Sequence, residues 1–183
     1  MKSNLQIISG KYRGKKLVLP DMARPTQNMA RGALFNMLLE ILDFSKPLKV
    51  WDVFAGSGAF GLESISRYNG AQVVFTDNAD SSVQTIKKNL MSINENAVIE
   101  KTDAVSCIGK FGKDADLIFI DPPYAEFELG MFFVKKITNI AKPGAILIWE
   151  FENNQNMPKI NDKWELLKDK TYGRARFLIL RKQ

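Results

Sequence analysis

Residues 48–61, LKVWDVFAGSGAFG, constrain this chain more than any other stretch. The apolar run of Leu48, Val50, Trp51, Val53 and Phe54 is too short for an isolated helix and has the length of a buried strand. Gly56, Gly58 and Gly61 follow as GxGxxG. That pattern provides a tight turn, a backbone surface that a ligand can approach closely, and a close contact between helix and sheet. Asp77 lies 21 residues beyond Gly56, the spacing of a carboxylate that binds a ribose hydroxyl. The stretch predicts a nucleotide-like cofactor, and on spacing alone a nicotinamide dinucleotide fits as well as S-adenosylmethionine.

The rest of the chain repeats the alternation. Strands are expected at 71–76, 97–100, 115–120 and 145–150, with helices over about 59–67, 80–93 and 127–140. A further helix is expected from Thr26 or Asn28 to about Leu42, and an antiparallel pair at 163–169 and 175–181 closes the chain. The pattern predicts an α/β fold, a doubly wound, mostly parallel seven-stranded sheet. Ligands in such sheets bind at the carboxyl ends of the strands, where strand order reverses. Asp52, Asp77, Asp103 and Asp121 all fall at or just beyond strand ends. Ahead of this domain (23–183), residues 1–22 read as a small basic β-hairpin extension, with strands at 5–9 and 16–19 and Lys11, Tyr12 and Arg13 shown to solvent at its tip.

Composition removes whole classes of chemistry. The 183 residues include no histidine and a single cysteine, Cys107. His-based acid–base catalysis, a Ser-His-Asp triad and a His-ligated zinc site are excluded, no metal site is expected, and no internal disulfide can form. The lone cysteine and the lack of a secretory leader or an apolar membrane span point to a reducing compartment, the cytoplasm. The net charge of +6 is unevenly spread. Residues 1–31 carry seven Lys and Arg against Asp21 alone, residues 170–183 carry five and no acid, and 32–169 are left at −5. Two basic ends on an acidic body suit a polyanionic partner such as nucleic acid.

Asp121-Pro122-Pro123-Tyr124 decides between the cofactors. Each proline fixes its own φ and restricts the residue before it, and neither offers an N–H. The motif's carbonyls are therefore expected to accept hydrogen bonds without competing donors. That suits an exocyclic NH₂ of a base, with Asp121 and a backbone carbonyl accepting its protons and Tyr124 stacking on the ring. Such an amine is a poor nucleophile, and the protein's task is to hold it in line with a sulfonium methyl and stabilise developing charge. No strong base is needed, in keeping with a chain that lacks histidine.

With those motifs in view, the sequence resembles the small bacterial methyltransferases that modify the N2 amine of one guanine in 16S ribosomal RNA. The resemblance runs through IISGKYRGKKL at 7–17, RPT at 24–26, Arg31 with ALFN at 33–36, WDVFAGSGAFGLESISR at 51–67, DLIFIDPPY at 116–124 and Tyr172-Gly173. It implies a Rossmann-like methyltransferase fold with S-adenosylmethionine as cofactor. Asp52, Phe54, Gly56 and Gly58 would line the methionine and adenosine side, and Asp77, with Asn78, would meet the ribose. Asp103, with Ala104, would approach the adenine, and Asp121, Pro122, Pro123 and Tyr124 would hold the target guanine. Lys11, Arg13, Lys15, Lys16, Arg24, Thr26 and Arg31 would grip the RNA. The implied partner is 16S ribosomal RNA within a small-subunit particle, modified by a monomeric enzyme. The alternative with the same motif logic is a DNA adenine-N6 or cytosine-N4 methyltransferase. At this length little room remains for the separate domain that many such enzymes use to read a duplex. A nicotinamide oxidoreductase and a non-catalytic RNA-binding protein fit the residues less well.

Overall fold

The computed structural model describes residues 5–20, 28–43 and 45–183, apart from the side chain of Tyr124. Helix α1 (Asn28–Leu38) is followed by β1 (Lys49–Asp52), α2 (Ala59–Arg67), β2 (Gln72–Asp77), α3 (Asp80–Ser92) and β3 (Val98–Lys101). Then come β4 (Leu117–Ile120), α4 (Phe127–Ile137), β5 (Ile146–Glu152), β6 (Trp164–Tyr172) and β7 (Ala175–Lys182). The strands form one seven-stranded sheet in the order β3-β2-β1-β4-β5-β7-β6. The first five run parallel, and β7 is antiparallel to both β5 and β6. The expected doubly wound, mostly parallel sheet is the one observed.

Side-chain alternation divides the core in two. Val50, Leu117, Phe119, Ile146, Ile148 and Phe177 project to one face, where Leu34 and Phe35 of α1, Phe60 and Leu62 of α2 and Ile86 of α3 cover them. Trp51, Ile118, Ile120, Leu147, Trp149 and Leu178 project to the other, under Phe133, Val134 and Ile137 of α4. β4 is buried at every position because helices cover both of its faces. β6 is an edge strand, mostly exposed beyond the buried Trp164 and rich in charged residues, with a bulge between Leu166 and Lys168.

Three local expectations need correction. α1 ends at Leu38 instead of near Leu42, because Glu40 and Ile41 switch to bonds with the carbonyls three residues back. Among its described residues the N-terminal hairpin has no strands and a single bridge, Gln6 to Lys16, together with bonds from Ile7 N to Lys15 O and from Leu17 N to Leu5 O. It is held from outside instead. Leu5, Ile7 and Leu17 are buried in the same core as α1 and α2. Glu63 of α2, fully buried, accepts the Ile8 and Ser9 N–H groups at 2.7 and 3.0 Å. Gly10 at φ +84° passes so close to α2 that a Cβ there would stand 1.9 Å from Ser66 O. Finally, Tyr12 does not point freely into solvent: it is half-buried and its hydroxyl bonds Glu95.

Candidate active site

A cavity of about 790 Å³ opens at the carboxyl ends of β1, β2 and β4, spanning the point where strand order reverses between β1 and β4. Its first wall is the glycine loop. Gly56 has φ +54°, and a Cβ there would meet nothing within 4 Å, so the backbone faces open space. Its N–H donates to Asp77 Oδ2 at 2.8 Å, while Asp77 Oδ1 accepts from Ala79 N at 2.9 Å. Both carboxylate oxygens are thereby fixed between the loop and the start of α3, with the half-buried residue bordering the cavity. Asn78 lies on the exposed rim, and Phe54 lines the cavity with its ring edge-on to Phe133 at 6.2 Å.

Gly58 and Gly61 serve the frame. Gly58 caps α2 at φ +76°, and a Cβ would press to 3.2 Å from both Ile86 and Phe75; it faces the core and does not line the cavity. A Cβ on Gly61 would lie 2.2 Å from Phe75 Cε1, the close helix–sheet contact expected of the third glycine.

Asp52 is buried at the cavity's inner wall and accepts the Gly61 N–H at 3.0 Å. Burial pushes its carboxyl well above the usual range against the pull of that hydrogen bond, and the negative charges of Asp121 and Asp77 push it further. On the far side Asp103 is exposed, its Oδ1 held by Val105 N at 2.9 Å and Ser106 N at 3.1 Å, with Ala104 buried beside it. Both border the cavity.

β4 delivers Asp121, Pro122 and Pro123 to the same cavity. Pro122 is buried and Pro123 exposed, and the backbone enters a 3₁₀ turn at Tyr124–Glu126. The Pro123 carbonyl already accepts the Glu126 N–H at 2.7 Å. The expectation that every carbonyl of the motif is open is thus corrected, because the turn supplies its own donor.

Of the residues expected to grip RNA, Arg31 alone borders the cavity among the described residues. Lys11, Arg13, Lys15 and Lys16 are exposed on the hairpin, where Lys11 Nζ pairs with Glu95 at 3.1 Å. Arg24 and Thr26 lie outside the described residues. Arg31, expected on the same outer surface, is 2% exposed. Its Nη2 donates to Gln6 O and to Asn28 Oδ1, and Nε faces Glu63 Oε2 at 3.8 Å. Helical periodicity turns it inward with Leu34 and Leu38. Burial lowers its pKa, opposed by Glu63 and, more weakly, by Glu150.

Several lining residues have no counterpart among those singled out from sequence: Glu150, Ala175 and Phe177, and the ring pair Phe60–Phe119, stacked at 4.1 Å. The signal for Glu150 was present, an acid set between Trp149 and Phe151 in the strand ILIWEFE. Among the described residues no cluster of His, Cys, Asp or Glu can hold a metal ion, and no helix is long and apolar enough to cross a membrane.

Whether this cavity fits the implied cofactor depends on its donor set. A buried carboxyl with two further carboxylates acting on it suits a ligand bearing positive charge, and the open Gly56 backbone beside Asp77 suits a ribose. The sheet order and this cavity place the chain among S-adenosylmethionine-dependent methyltransferases. A family profile described as "Conserved hypothetical protein 95" matches residues 5–181. Ribosomal RNA small subunit methyltransferase D of Escherichia coli K12 is 32% identical, over 98% of this chain and 90% of its own length. Its namesake from Buchnera aphidicola of Acyrthosiphon pisum is 35% identical, over 92% and 88%. The solved structure of the putative methyltransferase yhhF from Escherichia coli superposes with a TM-score of 0.84, at 29% identity and 98% coverage of both chains. The chain belongs to the ribosomal RNA small subunit methyltransferase D family.

Proposed function

We propose that this enzyme transfers a methyl group from S-adenosylmethionine to the N2 amine of a specific guanine in 16S ribosomal RNA. The observation that carries the reading is the convergence of Asp121 and Pro122 with the glycine loop, Asp52 and Asp77 in one cavity. S-adenosylmethionine, when bound, supplies an electrophilic methyl on a sulfonium. Asp77 and the Gly56 backbone hold the ribose side, Asp103 and Ala104 the adenine side, and Asp52 with Phe54 the methionine side. Asn78 borders the ribose from the rim.

Asp121 accepts one proton of the guanine N2 amine. Because the Pro123 carbonyl is engaged by Glu126, the Pro122 carbonyl is the acceptor for the other. Together they orient the nitrogen lone pair and stabilise the positive charge that develops as the N–C bond forms, and the surplus N2 proton then passes to Asp121 and on to solvent. Tyr124 stacks on the base. The target must be unstacked to enter, at a cost that is least in an exposed loop.

Lys11, Arg13, Lys15 and Lys16 contact phosphates, and Arg24 and Thr26 are assigned to the same RNA on sequence grounds. Residues 1–22 serve as an RNA grip attached to a methyltransferase domain at 23–183. The enzyme acts as a cytoplasmic monomer on RNA within a small-subunit particle.

The test is a competition. With tritium-labelled S-adenosylmethionine and both ribosomal particles and DNA present, label enters 16S RNA at guanine N2. Asp121→Ala abolishes transfer while retaining measurable cofactor binding. Label in DNA, or undiminished turnover by Asp121→Ala, overturns the assignment.

A further inference from the structure

The inner end of the cavity, beyond Asp121, is built from an acid and a base that the chemistry above does not use. In the β4–β5 register Ile120 pairs with Trp149, so the next residues, Asp121 and Glu150, continue side by side. Alternation sends both toward the face that carries Phe119 and Ile148, which is the face covered by α1. Helix α1 brings Arg31 to that same wall. Asp121, Glu150 and Arg31 thus border one cavity, with the stacked Phe60–Phe119 pair and Phe177 as its apolar lining.

Both inner groups are almost wholly enclosed. Glu150 is 4% exposed and the Arg31 side chain 3%. Nη2 of Arg31 is engaged by Gln6 and Asn28, yet Nη1 is buried and has no hydrogen-bond partner among the described residues. A buried guanidinium nitrogen without an acceptor is costly, and a ligand oxygen brought to it recovers that cost.

We propose that this pair reads the identity of the target base: Glu150 accepts the N1–H of guanine, and Arg31 Nη1 donates to its O6, while Asp121 and the Pro122 carbonyl hold N2. The proposal rests on the guanine-N2 reading above and names what selects that base. Asp121 and Glu150 are neighbours along the wall as N2 and N1 are neighbours along the guanine edge, and Arg31 borders the same cavity, where O6 would meet it. Adenine presents the opposite pattern. Its N1 lone pair would face the Glu150 carboxyl and its 6-amino group would face the guanidinium, so both contacts would turn repulsive in a site closed to water. Selection is therefore built into the same wall that holds the reacting amine.

The test uses small-subunit particles reconstituted with 16S RNA carrying either guanine or 2-aminopurine at the target position. 2-Aminopurine keeps the exocyclic amine but lacks both the N1–H and O6. The wild-type enzyme prefers guanine by about 100-fold or more, the combined worth of two such contacts. Glu150→Gln lowers kcat/KM on guanine about tenfold to a hundredfold and leaves that on 2-aminopurine unchanged or raised, because the amide N–H can meet its N1 lone pair, so the preference collapses. Arg31→Lys, which keeps a cation beside Glu63, gives the same collapse independently, because 2-aminopurine has no O6 to lose. Dissociation constants for S-adenosylmethionine within about twofold of wild type show that both variants retain the fold. Equal losses on the two bases, or a wild-type preference in both variants, overturn the base-reading pair alone. A wild-type enzyme that leaves guanine particles unlabelled overturns the methyl-transfer reading as well.

Discussion

Asp52 shows how a single buried carboxyl ties stability to pH. Its carboxyl is held well above the ordinary Asp value of 3.8, chiefly by burial. Below that value both folded and unfolded chains keep the proton, and the group contributes nothing to pH dependence. As pH rises past it, the unfolded chain releases the proton while the folded one retains it, so stability falls until the raised folded value is reached. Asp52→Asn keeps an acceptor for the Gly61 N–H and removes the titration. The variant should gain on the wild type as pH rises above about 4, by on the order of 1 kcal/mol per pH unit, until the raised folded value is reached, in denaturant titrations carried upward from about pH 4. A difference that stays flat with pH would show that Asp52 is ionised in the folded protein. Arg31 and Glu150 teach a related lesson about sequence reading. A charged side chain is assigned to solvent by default, and it is the folded structure that shows Arg31 and Glu150 both enclosed.

The elements that frame the site were legible because each has a strong local signature. β1, α2, β2, α3 and β4 lie within a few residues of expectation, since apolar runs of strand length alternate with helical stripes and are separated by Gly or Asp. The hairpin was not legible in the same way. Its fixed points are contacts more than fifty residues away in sequence, from Ile8 and Ser9 to Glu63 and from Tyr12 to Ser66. The π-helical turn Ile108–Gly112 likewise carries no pattern that spacing would disclose. Glu63 holds the two parts together: it accepts two hairpin N–H groups, bonds Arg67 Nε at 2.6 Å and faces Arg31. Glu63→Ala would leave two guanidinium groups without their acid and should cost about 3–5 kcal/mol in unfolding free energy. Amide exchange at Ile8 and Ser9 should accelerate far more than in β4. Uniform acceleration across the sheet would show that the hairpin and sheet open as one unit.

At the scale of the whole molecule, charge and chemistry are separated. The charged residues lining the cavity are mainly carboxylates, whereas the net positive charge sits at the two ends of the sequence, of whose cations only Arg31 and Arg174 border the cavity among the described residues. The hairpin cations are exposed and stand apart from the cavity, so binding and transfer should respond to different substitutions. Replacing Lys11, Arg13, Lys15 and Lys16 together with Gln should weaken binding to ribosomal particles and lower the slope of log affinity against log salt by up to about 3. Turnover at saturating substrate should change little. An unaltered salt slope would move the phosphate contacts elsewhere on the surface. The pairing of β4 with β5 reaches further than the site it builds. Loops around such a cavity tolerate insertions, but a single residue gained or lost within β5 would swing Trp149 or Phe151 into the place of Glu150. Descendants of this enzyme can therefore change where they dock on a ribosome far more readily than which nucleobase they accept.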